Sequence, residues 1–441
     1  MTALTRVAWF SPLPPVRSGV AAYSADVLAA LGDAIEIDCF VDAPGQGRVC
    51  NAHDFLWRHR RHPYDLTVYQ LGNAPCHDYM WAYLAAFPGL VVLHDARLHH
   101  ARARALLRRG RADDYRAEFQ FDHPDAVRDF TEFAVEGLSG PIYSFWSMLR
   151  VVMVTARTVV VHNSRVAADL RLEYPSARIE TLRMGVGASP SGSSDAAARI
   201  RGQLSIPDGA TVFAAFGKMT AEKRIGQVLR AFRKLVASGI DAYLLLIGDA
   251  SEYAALDRDP SALDRVRVTG HVADGDIAAY LAASDVCLCL RWPTALETSA
   301  AWLHCLAAQR ATVISDLAHL ADVPALDPRT WRSAHSPDQP VAVAIDLLDE
   351  DRSLTLTMQR LARDRALRDE LARRGHEYWS RHHTLELMAE DYRRLVPAVI
   401  ESPAPLPAAL PAHITDNYSE AGRRIARRFG VDVDILRRRG P

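Results

Sequence analysis

The feature that most constrains the fold of this chain is a repeated alternation of short apolar segments with longer segments of helical periodicity. The apolar segments lie at residues 6–10, 34–41, 65–72, 90–95 and 157–163 in the first half, and at 211–217, 242–248, 265–270, 285–290 and 311–315 in the second. Strands that alternate with helices are typical of βαβ units, which build parallel sheets. Since 441 residues exceed what one core needs, the alternation predicts two α/β domains.

A polar segment of small residues, 185–199, separates the two series of strands and marks the predicted domain boundary. The first domain is therefore predicted over residues 1–185 and the second over 200–383. Within the first domain, residues 97–156 carry helical patterns without a strand, which predicts an insertion of two or three helices.

The chain beyond about residue 340 is predicted to be helical, beginning with the segment VAVAIDLLDED. Its last long helix, 384–401, is expected to cross back to the first domain. Residues 402–441 differ in composition from the rest of the chain, because a Pro-rich linker here precedes a tail with seven arginines. This tail is an oligomerisation segment or a docking segment, and the sequence does not decide between the two.

The composition excludes several classes of protein. A net charge of -1 argues against an overall nucleic-acid binder, and 49% hydrophobic residues argue against disorder. The six cysteines have no CxxC spacing, which is typical of a reducing compartment. No run of about 18 apolar residues occurs. We expect a cytoplasmic protein that contacts the inner face of a membrane at most peripherally.

The first candidate site is the loop SPLPPVRSGVAAYS, which follows the first predicted strand and leads into a helix near Ser18 and Gly19. A glycine lets the backbone approach a ligand closely, and the N–H groups at a helix start favour an anion. The alternative interpretation is a strand-to-helix turn that simply uses a glycine.

The second candidate site is FGKMTAEKR (216–224), where a strand is again predicted to pass into a helix. Lys218 and Lys223 would stand at an already positive helix end, which is unfavourable unless an anion compensates their charge. A diphosphate fits, because lysine offers a point charge and three donors to phosphate oxygens. The alternative is that Lys223 and Arg224 are merely solvated.

Two further strand ends carry polar side chains. In RWPTALETS, Glu297, Thr298 and Ser299 stand at a predicted helix start, where they either cap the helix or hold phosphate and sugar hydroxyls. In VVLHD, His94 and Asp95 end a strand, at the edge where open α/β sheets bind their ligands. There are three competing interpretations of His94: a base, a residue that binds the acceptor, or a structural histidine held by hydrogen bonds.

These motifs, with TGHV at 269–272, follow one another in an order that resembles the family 4 glycosyltransferases of GT-B fold, over roughly residues 5–400. The resemblance implies two Rossmann-like domains that face each other across a cleft. The second domain would bind a nucleotide sugar and the first an acceptor. No metal would be required for the diphosphate, and no cofactor.

The resemblance also implies individual site residues. Gly19, with Ser18 before it, matches the glycine that contacts the donor phosphates, and Lys218 and Lys223 match the basic pair that neutralises the leaving diphosphate. Val272 falls where the nucleotide base rests on the backbone.

His94 matches a histidine near the reacting sugar, and Glu297 lies close to the first glutamate of the family's paired motif. The sequence departs from the family pattern at the second glutamate. Aligning LHCLAAQRATVIS with the family motif places His304 there, whereas counting from Glu297 reaches Cys305. The same alignment puts the first glutamate at Leu296, so the loop is a variant.

The expected reaction is transfer of a hexosyl group from a nucleoside diphosphate sugar to an acceptor hydroxyl with retention of configuration. The main alternative is a non-catalytic GT-B protein that acts as a binding or scaffolding subunit, and an epimerase on the same fold is a third. The stretch from Arg97 to Arg111 holds six arginines and no acid. It is either a solvated helix face or a contact for a membrane surface or an anionic acceptor.

Overall fold

The computed structural model describes residues 5–32, 35–42, 48–127, 129–138, 142–189, 194–249, 264–333, 339–405, 409–416 and 419–431. In this part of the chain, fourteen strands form two sheets of seven, and every strand pairing within the sheets is parallel. The prediction of an α/β chain with two Rossmann-like domains is therefore confirmed.

The first sheet is built from the first 181 residues. Its strands are β1 Arg6–Phe10, β2 Glu36–Val41, β3 Val49–Asn51, β4 Leu66–Leu71, β5 Leu90–Leu93, β6 Thr158–Val161 and β7 Ile179–Thr181. Their order in the sheet is β3-β2-β1-β4-β5-β6-β7. The chain reverses its direction of winding between β1 and β4, and such a switch point is where an open α/β sheet leaves a crevice for ligands.

The second sheet repeats this arrangement. Its strands are β8 Thr211–Phe216, β9 Ala242–Ile247, β10 Val266–Val268, β11 Val286–Cys289, β12 Ala311–Ser315, β13 Ala325–Leu326 and β14 Ala342–Ile345. The order is β10-β9-β8-β11-β12-β14-β13, with the switch point between β8 and β11. All four central strands bury apolar side chains on both faces, as strands covered by helices on two sides must.

The helices pack on both sheets and form the insertion and the C-terminal segment. They are α1 Gly19–Leu31, α2 Phe55–Arg61, α3 Met80–Leu84, α4 His99–Leu107, α5 Ala112–Asp122, α6 Phe130–Val135, α7 Ile142–Phe145, α8 Arg150–Thr155, α9 Ser164–Glu173, α10 Ser194–Gln203, α11 Ile225–Ala237, α12 Ile277–Ala282, α13 Ala300–Ala307, α14 Glu350–Arg363, α15 Arg365–His382, α16 Leu385–Glu401, α17 Ala412–Thr415 and α18 Ser419–Arg428.

Three details of the predicted elements were wrong. The segment after 340 begins with β14 and not with a helix, because Ala342–Ile345 lies fully buried between β12 and β13. The insertion contains five short helices, α4 to α8, and not two or three, and Met148, at a φ of 51°, lies between α7 and α8. In FGKMTAEKR the strand passes first into a 3-10 turn, Ala221–Lys223, and the predicted helix begins only at Ile225.

The C-terminal helix α16 packs against α1 and β4 of the first sheet. The hydroxyl of Tyr392 on α16 lies 2.8 Å from the hydroxyl of Tyr23 and accepts from Gln70 Nε2 at 3.1 Å. The guanidinium of Arg183 forms a bidentate ion pair with Asp391, with both contacts at 2.9 Å. The helix thus belongs to the core of the first domain although it follows the second in sequence.

Part of the predicted linker and tail, residues 406–408, 417–418 and 432–441, lies outside the described residues, as do residues 190–193 of the boundary segment. No helix in the described part of the chain is long and apolar enough to cross a membrane.

Candidate functional site

The predicted site residues lie on loops at the carboxyl ends of the central strands. In the first domain, Ser18 and Gly19 follow β1 and His94 follows β5. In the second, Lys218 and Lys223 follow β8, and Glu297 follows β11. These loops surround the two switch points, so the fold itself collects the candidate residues at two edges.

The two carboxyl edges face each other. The backbone N–H of Ala96, after β5, donates to the carbonyl oxygen of Ala295, after β11, at 2.8 Å. The Asn163 side chain, after β6, donates to the carbonyl oxygen of His319, after β12, also at 2.8 Å. The loops of both sheets therefore form one interdomain cleft, as the resemblance implied.

Lys223 is the most unusual cation of the cleft. Its ammonium donates a hydrogen bond to the carbonyl oxygen of Phe216 at the end of β8. A Cβ on Gly217 would lie 2.6 Å from Nζ, so a glycine, here at a φ of 97°, is what admits the ammonium. Burial, with the charge of Arg291 as the second cause, lowers the pKa of Lys223 to about 8.

The charge of Lys223 has no acidic counterpart in this structure. Among the described residues, no carboxylate forms an ion pair with its ammonium, whereas the adjacent Arg224 pairs with Glu350, Nε to Oε1, at 2.8 Å. Lys218 lies earlier in the same loop, and its side chain is exposed. The α-helix begins two residues after Lys223, so the ammonium lies on the 3-10 turn and not at an α-helix start as predicted.

Glu297 organises the loop between β11 and α13. One carboxylate oxygen accepts from the Thr294 hydroxyl at 2.8 Å and from the Ala295 N–H at 2.9 Å. The other lies 2.6 Å from Nε of Arg291. With these three contacts, Glu297 fixes the loop shape and holds Arg291, whose charge acts on Lys223.

Thr298 and Ser299 lead directly into α13. Ser299 caps that helix, since its hydroxyl accepts from the Trp302 N–H at 3.3 Å. Ser299 therefore acts as a helix cap in this structure, which is one of the two roles predicted for it. Both residues also line the interdomain cavity, which leaves the first-turn N–H groups beside an open space.

The cavity has a volume of about 70 Å³ and both domains contribute to it. Its polar lining includes His162 and Asn163 from the first domain, and Arg291, Glu297, Thr298 and Ser299 from the second. Nε2 of His162 is buried and has no hydrogen-bond partner among the described residues. An orphaned ring nitrogen at a polar cavity indicates a site that a ligand or water completes.

His94 is half-buried directly after the carboxyl end of β5. Its Nε2 lies 2.8 Å from the side-chain oxygen of Gln70, and its ring packs edge-on against Tyr23, with the ring centres 4.6 Å apart. Burial holds the pKa of His94 well below its usual range, so the ring is neutral. A neutral imidazole bonded to Gln70 presents a fixed surface to the cleft.

Asp95 carries a second carboxyl group in the cleft. Its Oδ2 accepts from the Asn73 N–H at 2.7 Å. Burial, together with the charge of Glu297 across the cleft, raises the pKa of Asp95 to about 6. The two domains thus bring Asp95 and Glu297 within electrostatic reach of one another.

His304 and Val272 lie beside Lys223 in the second domain. The His304 ring packs edge-on against Phe216, with the ring centres 6.2 Å apart, and burial lowers its pKa. Val272 packs against the apolar cluster that includes Phe216 and Cys305. Neither of the two positions aligned with the second glutamate supplies a carboxylate, because His304 is an imidazole whose pKa burial lowers and Cys305 is a buried thiol.

Ser18 and Gly19 open α1. The Ser18 hydroxyl accepts from the Ala21 N–H at 3.0 Å, and a Cβ on Gly19 would meet nothing within 4 Å. Neither backbone strain nor crowding by the protein therefore requires a glycine at this position.

The arginines between Arg97 and Arg111 do not form one exposed basic face. Arg102 is buried and pairs with Glu118 at 2.6 Å, Arg104 pairs with Asp78 at 3.0 Å, and Arg111 pairs with Asp114 at 2.6 Å. Three of the six arginines are thus balanced by carboxylates, whereas Arg108 and Arg109 are exposed.

Several cleft residues escape prediction from sequence. His162 and Asn163 end strand β6 just as His94 ends β5, so their position at a strand's carboxyl end could have identified them. Gln70 and Tyr392 are 322 residues apart, and nothing in the sequence connects them. In the part of the chain that the structure describes, no cluster of three or more His, Cys, Asp or Glu side chains is arranged to hold a metal ion.

Comparison with known proteins is consistent with this geometry. Residues 210–348 match the family model of the group 1 glycosyl transferases. No curated protein sequence matches the chain. HepE from Anabaena, solved in complex with UDP and glucose, superposes with a TM-score of 0.60 at 13% identity, over 89% of this chain and 100% of that one.

Two further solved structures are similar over the same extent. Sucrose-phosphate synthase from Thermosynechococcus elongatus has a TM-score of 0.62 and 16% identity, and covers 89% of this chain and 100% of its own. The catalytic domain of starch synthase IV from Arabidopsis thaliana, bound to ADP and acarbose, has a TM-score of 0.60 and 11% identity, over 90% and 100%. The chain therefore has the GT-B fold, and its second sheet lies in the segment that matches the group 1 glycosyl transferases.

Proposed function

We propose that this protein is a retaining family 4 glycosyltransferase that moves a hexosyl group from a nucleoside diphosphate sugar to an acceptor hydroxyl. The second domain binds the donor and the first domain binds the acceptor. We place this reaction in the cytoplasm. The match of residues 210–348 to glycosyl transferases and the UDP and ADP in the similar structures support this assignment.

The observation that carries the proposal is the desolvated ammonium of Lys223, which lies within electrostatic reach of Arg291 and pairs with no carboxylate in the described part of the chain. Glu297 balances the charge of Arg291, whereas the Lys223 ammonium loses hydration and is also repelled by Arg291, so its charged form is unfavourable in the empty protein. A diphosphate supplies the missing negative charge and accepts hydrogen bonds from both cations.

In the reaction, the bond between the anomeric carbon and the β-phosphate oxygen breaks, and the acceptor oxygen forms a bond to the same face of that carbon. The acceptor proton passes to the departing phosphate. Lys218 and Lys223 stabilise the charge that develops on this phosphate, an electrostatic contribution that is often the largest in catalysis. No metal or other cofactor is needed for this step.

The other predicted residues position the donor. Gly19 and Ser18 border the space for the phosphates, and the N–H groups of Thr298 and Ser299 hold a phosphate oxygen. Glu297, which fixes the shape of the loop between β11 and α13, contacts hydroxyl groups of the donor sugar. Val272 and His304 border the nucleotide, and His94 borders the reacting sugar.

Nucleotide binding tests this assignment most simply. We expect Lys223→Ala to weaken binding of the matching nucleoside diphosphate by about 30- to 100-fold, since a hydrogen bond to a charged group contributes roughly 2–3 kcal/mol. Lys218→Ala should weaken it less, because Lys218 is exposed. Calorimetric titration with UDP, GDP and ADP measures both effects.

The chain offers a matched control, because it contains only three lysines and the third, Lys234, lies exposed on α11. Lys234→Ala removes the same group from the same domain and should leave binding unchanged. Equal affinity of the wild type and Lys223→Ala for every nucleotide would contradict the assignment.

A second candidate function is binding without catalysis, as a scaffolding subunit. One observation favours it: His304 and Cys305 leave the motif after β11 without its second carboxylate, and Glu297 is already engaged by its own loop. A nucleotide sugar that binds tightly but is neither hydrolysed nor transferred would favour this alternative.

A further inference from the structure

Helix α18, Ser419–Arg428, lies beyond both Rossmann-like domains and combines an apolar and a basic face. Ile425 is 57% exposed and Phe429, which follows the helix, is 79% exposed. At about 100° per residue, Ile425, Ala426 and Phe429 fall within one arc of about 100°. Exposed apolar side chains of this size on one face need a covering surface.

The basic face occupies the rest of the helix. Arg423, Arg424, Arg427 and Arg428 fall on the remaining arc, and the last three are exposed. The helix sequence SEAGRRIARR contains four arginines and one acid, Glu420, which leaves a clear excess of positive charge. A surface that covers this helix must therefore accept apolar side chains and carry negative charge at the same time.

The helix is tethered to the protein by the segment before it. His413 on α17 inserts its ring into the helical insertion, where Nε2 lies 2.9 Å from Oε2 of the buried Glu118. Ile414 packs against the apolar core of the first domain. Three residues separate the end of α17 from α18, so the amphipathic helix is held close to the surface of the first domain.

We propose that α18 is a membrane-surface helix that binds a bilayer containing anionic lipids, with Ile425 and Phe429 inserted among the acyl chains and the arginines against the head groups. Charge and apolarity on opposite faces of a short helix are what such an interface selects. The helix is too short to span a bilayer, so the contact is peripheral. It would hold the acceptor-binding domain at a membrane.

The experiment is vesicle co-sedimentation of the full-length protein. We expect binding to vesicles that contain phosphatidylglycerol, little binding to pure phosphatidylcholine, and release at high salt. Ile425→Ser/Phe429→Ser and Arg427→Gln/Arg428→Gln should each reduce binding by at least about tenfold. Nucleotide affinity should stay that of the wild type, which shows that the variants fold.

Matched controls come from the rest of the chain. Leu172 and Leu348 are 83% and 98% exposed, so Leu172→Ser/Leu348→Ser removes two equally exposed apolar side chains. Arg352→Gln/Arg363→Gln removes two exposed arginines from α14. Both controls should sediment like the wild type.

Four results would overturn the proposal: no sedimentation with anionic vesicles, equal sedimentation with neutral ones, equal loss in the control variants, or α18 variants that bind like the wild type. Self-association without lipid that Ile425→Ser/Phe429→Ser abolishes would assign the face to a second copy of this chain instead. Equal binding to a soluble polyanion, independent of Ile425 and Phe429, would likewise exclude the membrane. None of these results bears on nucleotide binding, so the proposed function is tested separately.

Discussion

Lys223 differs from the other two lysines of the chain in its surroundings. Lys218 and Lys234 are exposed, whereas the Lys223 ammonium is enclosed by the end of β8 and lies near Arg291. A compact ammonium fits this space, which exists because Gly217 has no Cβ. The chain otherwise uses arginine almost throughout, so a lysine here follows from the shape of the site.

The lowered pKa of Lys223 predicts how donor binding depends on pH. A group with a pKa of about 8 is mostly charged at pH 7 and mostly neutral at pH 9, so diphosphate affinity should fall about tenfold across this interval. Binding near pH 8 should also take up a proton, because the diphosphate raises the pKa of the ammonium. Titration in buffers of different ionisation enthalpy measures this uptake.

Lys223→Ala is the control for this pH dependence and should show none of it. An equally steep dependence in that variant would place the titrating group elsewhere. The same shift has a consequence for stability. Because the folded pKa lies below the unfolded value of 10.5, the unfolded chain binds the proton more tightly, and the contribution of Lys223 to stability increases as pH rises from about 8 to 10.5.

Individual site residues could be predicted only where a charged or polar residue directly follows a predicted strand. Lys218, Lys223 and Glu297 were identifiable, because charged residues directly after an apolar strand are unusual. Arg291 stands in the same segment, but only the fold shows that Glu297 holds it and that its charge acts on Lys223. The hydrogen bonds that occupy Glu297 are equally invisible in the sequence.

At the scale of elements, α16 is what links the end of the chain to the cleft. Tyr392 bonds to Gln70, and Gln70 bonds to His94, so the helix helps to fix the imidazole that faces the cleft. The helix was predictable from its periodicity, whereas its hydrogen bonds to β4 depend on tertiary structure.

Tyr392→Phe should therefore destabilise the first domain. It leaves the buried Gln70 amide and the Tyr23 hydroxyl each without a partner, which costs about 1–3 kcal/mol. Urea unfolding measures the loss. Tyr83→Phe is the matched change, because the half-buried Tyr83 hydroxyl makes no hydrogen bond with a described residue, and its effect should be within about 0.5 kcal/mol. Equal stability of both variants would contradict this interpretation of Tyr392.

Short elements were the hardest to predict. The apolar residues of β14 follow one another without a polar residue, so their pattern fits a buried strand and a buried helix equally well. Only the pairing with β12 and β13 shows that the segment is a strand. The strands β3, β7 and β13 have two or three residues each and complete sheet edges that the longer strands define. The five helices of the insertion are broken by backbone conformations, such as that of Met148, which the apolar pattern does not encode.

At the scale of the whole molecule, two switch points meet across one cleft. The sequence order of strands and helices was sufficient to predict two Rossmann-like domains, because parallel sheets with right-handed connections allow few alternatives. The closeness of the domains was not predictable. It rests on contacts such as Ala96 with Ala295 and the ion pair of Arg165 with Asp322 at 2.6 Å.

Release of nucleoside diphosphate from UDP-, GDP- and ADP-sugars by the wild type and Lys223→Ala tests the central claim most directly. The account predicts that the wild type turns over at least one donor, and that Lys223→Ala is slower by about 100-fold or more, as expected when one preorganised charge is removed. Wild-type protein that binds a nucleotide sugar but releases no product, or a Lys223→Ala variant with unchanged turnover, would contradict it.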